Sequence, residues 1–308
     1  MDGKAHLAAV LGVGIVAISF AAILIRWCDD APPLVIAAAR LGIATVLLLP
    51  LMIYAPRRRR ARFVPMHVGL LVLGGSMLAA HFYFWIESLR HTSVLNSVVI
   101  VTTSPIFVGL GSYFFFAERL TRHLIFGMLM AMIGGVTISL GGADAATEDS
   151  ASVYGNLLAL AGGAAAGGYF LVGRRVRRDI HLLTYMVVVY GLAAIVLLLC
   201  GIGAGVQWTG YRPSTYFYFV LLAALPQLVG HGSLNYALRH VSATIVAVCV
   251  LGEPIGAGVL AFFMLGESPD GWQLVGAVLI LFGIFLAVRQ SPTTAASADH
   301  AEPVESVD

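Results

Sequence analysis

Long blocks of apolar residues, separated by short polar breaks, run from Leu7 almost to the C-terminus of this 308-residue chain. A bilayer core about 30 Å thick takes about 20 mostly apolar residues per helix. On that ruler the pattern predicts spans near 7–26, 34–54, 66–88, 94–116 and 121–141, then 153–173, 181–203, 216–238, 242–265 and 270–289. The fold class expected is therefore an all-α integral membrane protein of ten transmembrane helices. The opening run lacks a basic leader and a small-residue cleavage site before Arg26, so it reads as the first span. The breaks divide the chain into 1–142, an acidic linker 143–152, a second unit 153–289 and a polar tail 290–308 expected to be disordered and cytoplasmic.

A shift of 149 residues superposes 89–140 on 238–289 without a gap. Leu89-Arg90-His91 meets Leu238-Arg239-His240, Pro105 meets Pro254, and Glu118 meets Glu267. Gly127 and Gly134 meet Gly276 and Gly283. Apolar helices match one another cheaply through Leu and Val, but identical spacing of Pro, Glu and Gly marks a duplication. Five spans is an odd number, so the second copy enters the membrane the opposite way round. Inverted repeats of this kind recur in secondary transporters, with the solute site between them near the midplane.

Composition agrees with a lipid environment: 59% of residues are hydrophobic, 11% are charged, and the mean hydropathy is +0.90. A net charge of +2 gives no global field for a nucleic acid, so a small-molecule solute and the lipid bilayer are the partners expected. Position matters more than sum. With the N-terminus inside, fourteen of the eighteen basic residues fall in cytoplasmic segments, among them the Arg57–Arg60 run and Arg174, Arg175, Arg177 and Arg178. Lys and Arg are retained on that side during insertion, so both termini are expected in the cytoplasm of a multi-pass cell (inner) membrane protein. Cys28, Cys200 and Cys249 are far apart and have no metal-ligand spacing, so neither metal nor cofactor is expected.

Several residues within the spans can carry chemistry. Glu253 lies about eleven residues into span nine, roughly 16 Å deep at 1.5 Å per residue. A carboxylate there has to be protonated, paired or facing water, which suits a solute amine or a coupled proton as well as a packed hydrogen-bonding role. Its counterpart in the first half is Ser104. Pro105 and Pro254 are expected to bend spans four and nine at equal depth, as hinges, and to free carbonyls near Val101 and Val250. His81 with Trp85, and His231 with Asn235, each lie four residues apart on one helix face, where they could bind a zwitterion or bridge helices. Asn96 and Tyr169 are weaker cavity candidates.

Arg40, about six residues into span two, is expected to play a structural part and to snorkel toward the outer face. Glu118 and Glu267 stand where they would cap the helices of spans five and ten. Gly127, Gly134, Gly276 and Gly283, recurring every seven residues, place small residues on one face for close helix contact.

The segments SPIFVGLGSYFFFAERLTRHLIFGMLMAMIGGVTISL and EPIGAGVLAFFMLGESPDGWQLVGAVLILFGIFLAV, with AAARLGIATVLLLP around Arg40, resemble the EamA family of the drug/metabolite transporter superfamily. The resemblance covers nearly all of 7–289. It implies ten-helix transporters that move metabolites such as amino acids, often outward, through a central cavity, and it leaves the solute and the energy source, proton coupling included, open. A membrane-embedded enzyme is the competing class, but no HExxH or GxSxG motif or clustered metal set is present. A channel or receptor-like protein is disfavoured by the inverted repeat.

Overall fold

A computed structural model describes residues 3–54, 65–92, 94–117, 120–141, 150–265 and 271–289. Among these residues nine helices are long and apolar enough to cross a membrane. A tenth, Arg122–Gly141, is apolar over the shorter stretch Arg122–Ile138. The segments 143–149 of the linker, the Arg57–Arg60 run, Glu118, Glu267 and the tail 290–308 lie outside the described residues. So does the side chain of Asn96.

Span one consists of α1 (Gly3–Ser19) and α2 (Ala21–Arg26), and span two is α3 (Pro33–Ile53). Span three is α4 (Pro65–Ser88). Span four is two helices, α5 (Val94–Val101) and α6 (Ser104–Phe116), and span five is α7 (Arg122–Gly141). The second half follows with α8 (Ser150–Val176) and α9 (Leu182–Gly203) as spans six and seven. Span eight joins α10 (Pro213–Leu222), a π-helix (Ala223–His231) and α11 (Gly232–Ala237). Span nine is again two helices, α12 (Ala243–Val250) and α13 (Glu253–Leu265), and span ten is α14 (Gly271–Arg289).

Local sequence accounts for many of these ends. Pro33 and Pro213 occupy first-turn positions, where a missing N–H is no loss. The Ser242 hydroxyl caps α12 by accepting from the Ile245 N–H at 3.3 Å. At the start of α7 the Thr121 hydroxyl caps the helix by accepting from the Leu124 N–H at 3.2 Å.

The two halves pack as mirror partners in chain order. Span three lies against spans six and seven, and span eight correspondingly lies against spans one and two. Spans two and seven pack on each other, as do spans five and ten. The last pair fixes the relative direction of the copies. Gly127 is closest to Gly283, and Gly134 to Gly276, so α7 and its repeat partner α14 run antiparallel. Two repeats with opposed orientation follow directly from that crossing.

The expected proline bends need a correction. Spans four and nine are interrupted rather than bent: two-residue turns at 102–103 and 251–252 separate their halves. Pro105 and Pro254 each sit at the second residue of the new helix. A proline bond at that position sacrifices nothing, whereas an unbroken helix would clash with the ring. The breaks therefore leave two helix N-termini, at Ser104 and Glu253, in the interior of the bundle.

Candidate functional site

The breaks in spans four and nine open onto a central cavity. Its wall includes Arg40 from span two, His81 and Trp85 from span three, and Val101, Thr102 and Ser104 from the first break. Tyr169 and Phe170 come from span six, His231 from span eight, and Val250 and Glu253 from the second break. The cavity measures about 40 Å³ as space open to the centre of a water molecule. At roughly 10–15 Å³ per water that holds two to four, so a metabolite enters only when the bundle opens around it.

Glu253 begins α13, is 8% exposed and lines this cavity. Among the described residues its carboxylate has no ion pair, and the charge that bears on it is that of Arg40. The two groups line one cavity yet no N–O separation between them falls within 4 Å. The Ser19 hydroxyl of the first half, which donates to the Ile15 carbonyl at 2.8 Å, also lies 3.3 Å from the Glu253 carbonyl.

Arg40 does not snorkel. Its side chain is 1% exposed and points into the bundle, where its Nε donates to Gln227 Oε1 at 2.8 Å and its Cζ lies 4.0 Å above the Phe82 ring. The Nη1 nitrogen is buried without a hydrogen-bond partner among the described residues. Six residues of helix leave the guanidinium several ångströms short of the outer interface unless the side chain climbs along the helix. The Phe82 face and the Gln227 carbonyl offer a nearer alternative.

The histidines sit as their i, i+4 spacing suggests, but with different partners. His81 and Trp85 stack with centroids 6.1 Å apart and planes 7° from parallel. His81 Nδ1 lies 3.0 Å from the Gly162 carbonyl, which makes Nδ1–H the donor and turns Nε2 away as an acceptor. His231 lies 6.2 Å from His81 and 5.2 Å from Phe82, so spans three and eight meet ring against ring at the cavity. Asn235 is not part of the wall. It is fully buried behind it, where Oδ1 accepts from Tyr169 OH at 2.6 Å and Nδ2 donates to Tyr190 OH at 3.0 Å. Asn235 thus aims Tyr169, which does line the cavity.

Pro105 and Pro254 lie beside the cavity rather than on its wall, and the residues they release, Val101 and Val250, are on it. Gln227, Tyr190 and Phe82 are site residues that sequence reading missed. Gln227 had a signal, a buried amide beside Pro226 in the middle of an apolar span. Phe82 had none, because aromatic residues surround its helix on every side, and Tyr190 is one of two tyrosines in a largely aliphatic span with nothing to mark the face it takes.

A bundle of broken helices around a central cavity lined by groups of both charge signs defines a polytopic membrane protein of the solute-carrier type. The chain belongs to the EamA-like transporter family, which matches residues 3–140 and 153–289. A pseudopaline exporter of Pseudomonas aeruginosa is 30% identical over 79% of this chain and 81% of its own length. A protein of Streptantibioticus cattleyicolor named "Probable terminal-alkyne amino-acid exporter" is 29% identical over 76% of each chain. An uncharacterized transporter of Archaeoglobus fulgidus is 26% identical over 94% of this chain and 99% of its own. A solved crystal structure superposes with a TM-score of 0.77 at 18% identity, over 93% of this chain and 98% of that one, and shares the fold.

Proposed function

We propose that this transporter exports a small zwitterionic metabolite of the amino-acid kind by alternating access around the central cavity. The observation that carries the reading is that Arg40 and Glu253 line one cavity without an ion pair between them, with Arg40 Nη1 buried and unpartnered among the described residues. A carboxylate on the solute supplies the acceptor that Arg40 Nη1 lacks, and a solute amine supplies the cation for Glu253. A charge buried in low dielectric is costly unless paired, so the site binds a ligand with both signs far better than one with either alone. The relatives named as a pseudopaline exporter and as a probable terminal-alkyne amino-acid exporter support a small metabolite of this kind and the outward direction.

The His81–Trp85 stack and the Tyr169 and Phe170 rings form the apolar wall for the solute's side chain. Asn96, on α5 below the first break, is the remaining polar candidate from that helix. Glu253 is also the acid through which a proton could be coupled to transport, because it is the carboxylate on the described cavity wall. The positive charge bias supports both termini lying in the cytoplasm, on the inner side of the cell membrane, and an N-terminal tag reached from outside intact cells would refute that.

Counterflow of radiolabelled amino acids in proteoliposomes tests the function. The wild type should exchange at least one of them, and Glu253→Gln should lose exchange or its pH dependence while keeping its fold. Wild-type exchange rates and an unchanged pH profile in the mutant would remove Glu253 from the mechanism.

A further inference from the structure

Span eight is one residue longer than its repeat partner. Both begin with a helix-starting proline and end immediately before Leu-Arg-His, yet Pro65–Ser88 has 24 residues and Pro213–Ala237 has 25. The first copy is α-helical throughout, and the second takes a π-helix over Ala223–His231. A π segment weakens backbone hydrogen-bond geometry and persists chiefly where it redirects functional side chains. Here it contains Pro226, and it brings two side chains to the site: His231 to the cavity wall and Gln227 to Arg40.

Gln227 is fully buried. Its Oε1 takes the Arg40 Nε, and its own carbonyl accepts from Tyr190 OH at 3.5 Å, which ties it to the Asn235–Tyr169 pair. Its Nε2 has no partner among the described residues. The amide is therefore oriented by Arg40, since the flipped rotamer would set donors against donors. With Nε bound and one face of the guanidinium on Phe82, Arg40 can turn neither toward the membrane surface nor along its helix. Its unpartnered Nη1 stays at the cavity. The partner is neutral, so this hydrogen bond does not cancel the positive charge, and among the described residues Arg40 makes no ion pair.

We propose that Gln227 is a positioning residue: it fixes Arg40 so that the guanidinium receives the carboxylate of the solute, and its neutrality preserves the charge that does so. This inference rests on the zwitterion reading above. A glutamate at 227 keeps the hydrogen bond and the shape but pairs with Arg40, so it competes with the solute. A methionine keeps the volume and loses the acceptor.

The test is counterflow by the full chain in proteoliposomes, with the amino acid that the wild type exchanges fastest as the probe. Thermal unfolding in detergent is run alongside. In Gln227→Glu and Gln227→Met the KM should rise roughly tenfold or more, the scale of one lost charge-assisted hydrogen bond, with a smaller change in maximal rate. If Gln227→Met does not fold, Gln227→Glu decides alone. A folded Gln227→Glu protein with the wild-type KM, the result of a purely packing role, would overturn the assignment and leave the zwitterion reading standing. A wild type that exchanges none of the amino acids would overturn the solute class itself, and the two failures are distinguishable.

Discussion

The crossing of α7 and α14 offers a sharp test of how the two copies are joined. Only 22% of the most apolar stretch of span ten is buried within the protein, so α14 is held chiefly by its contact with α7 and otherwise faces lipid. A Cβ placed on Gly283 would stand 2.5 Å from the Gly127 carbonyl oxygen and 2.6 Å from the Ala131 amide nitrogen. Both obstacles are backbone, so no side chain can swing aside. To reach an ordinary contact of 3.4 Å the helices must part by about 0.9 Å, which forfeits a good part of the dispersion energy along the seam.

Overpacking of this kind destabilises by about 1–3 kcal/mol, partly offset by the better helix propensity of alanine. Gly283→Ala should therefore unfold at a lower SDS fraction than wild type. Gly12→Ala is the control, because a Cβ there meets nothing within 4 Å. Gly276→Ala, two turns away on the same seam, should add less than its own single effect, since the helices have already separated. The assay is reversible SDS titration followed by circular dichroism. Equal midpoints for Gly283→Ala and Gly12→Ala would refute the close crossing and, with it, the antiparallel register deduced from it.

Two further predictions concern motion and pH. Pro254→Ala and Pro105→Ala should leave SDS stability nearly unchanged, because each proline starts a helix where no hydrogen bond is lost, but should slow counterflow if the interruptions act as hinges; unaltered rates would make them static. Between the loops that join spans one to two and seven to eight, the Arg212 N–H donates to Asp30 at 2.8 Å and the Thr215 hydroxyl donates at 2.6 Å. Desolvation raises the Asp30 carboxyl, but those two donors and the Arg212 guanidinium outweigh it and hold it near about 2, below its ordinary 3.8. The folded value is the lower one, so the contact stabilises fully above the ordinary value and is lost as pH falls through about 2. Any pH dependence of transport between pH 5 and 8 should therefore survive Asp30→Asn, measured in proteoliposomes of varied external pH.

The sequence carried the spans to within a few residues because each element must satisfy its own backbone in lipid, and that demand is local. The duplication was equally legible, since Pro105/Pro254 and Gly127/Gly134 with Gly276/Gly283 recur at fixed spacing. Depth along a helix could be counted, which placed Glu253 near the midplane. Direction around a helix could not be counted for Arg40, where the alternatives were lipid headgroups on one side and the Phe82 ring with the Gln227 amide on the other. Span length alone did not distinguish a bent helix from the broken ones at 102–103 and 251–252.

What the sequence determined by itself was a ten-span chain in two copies, of odd span number and therefore opposed, with one acid deep in the second copy. Only the tertiary structure decided that Arg40 turns inward to oppose that acid, that Asn235 stands behind the wall rather than on it, and that a π-helix delivers Gln227. The physical reason is that hydrophobic periodicity records how much of a helix is apolar, and in a membrane nearly all of it is. Which polar groups meet then depends on contacts between helices distant in the chain.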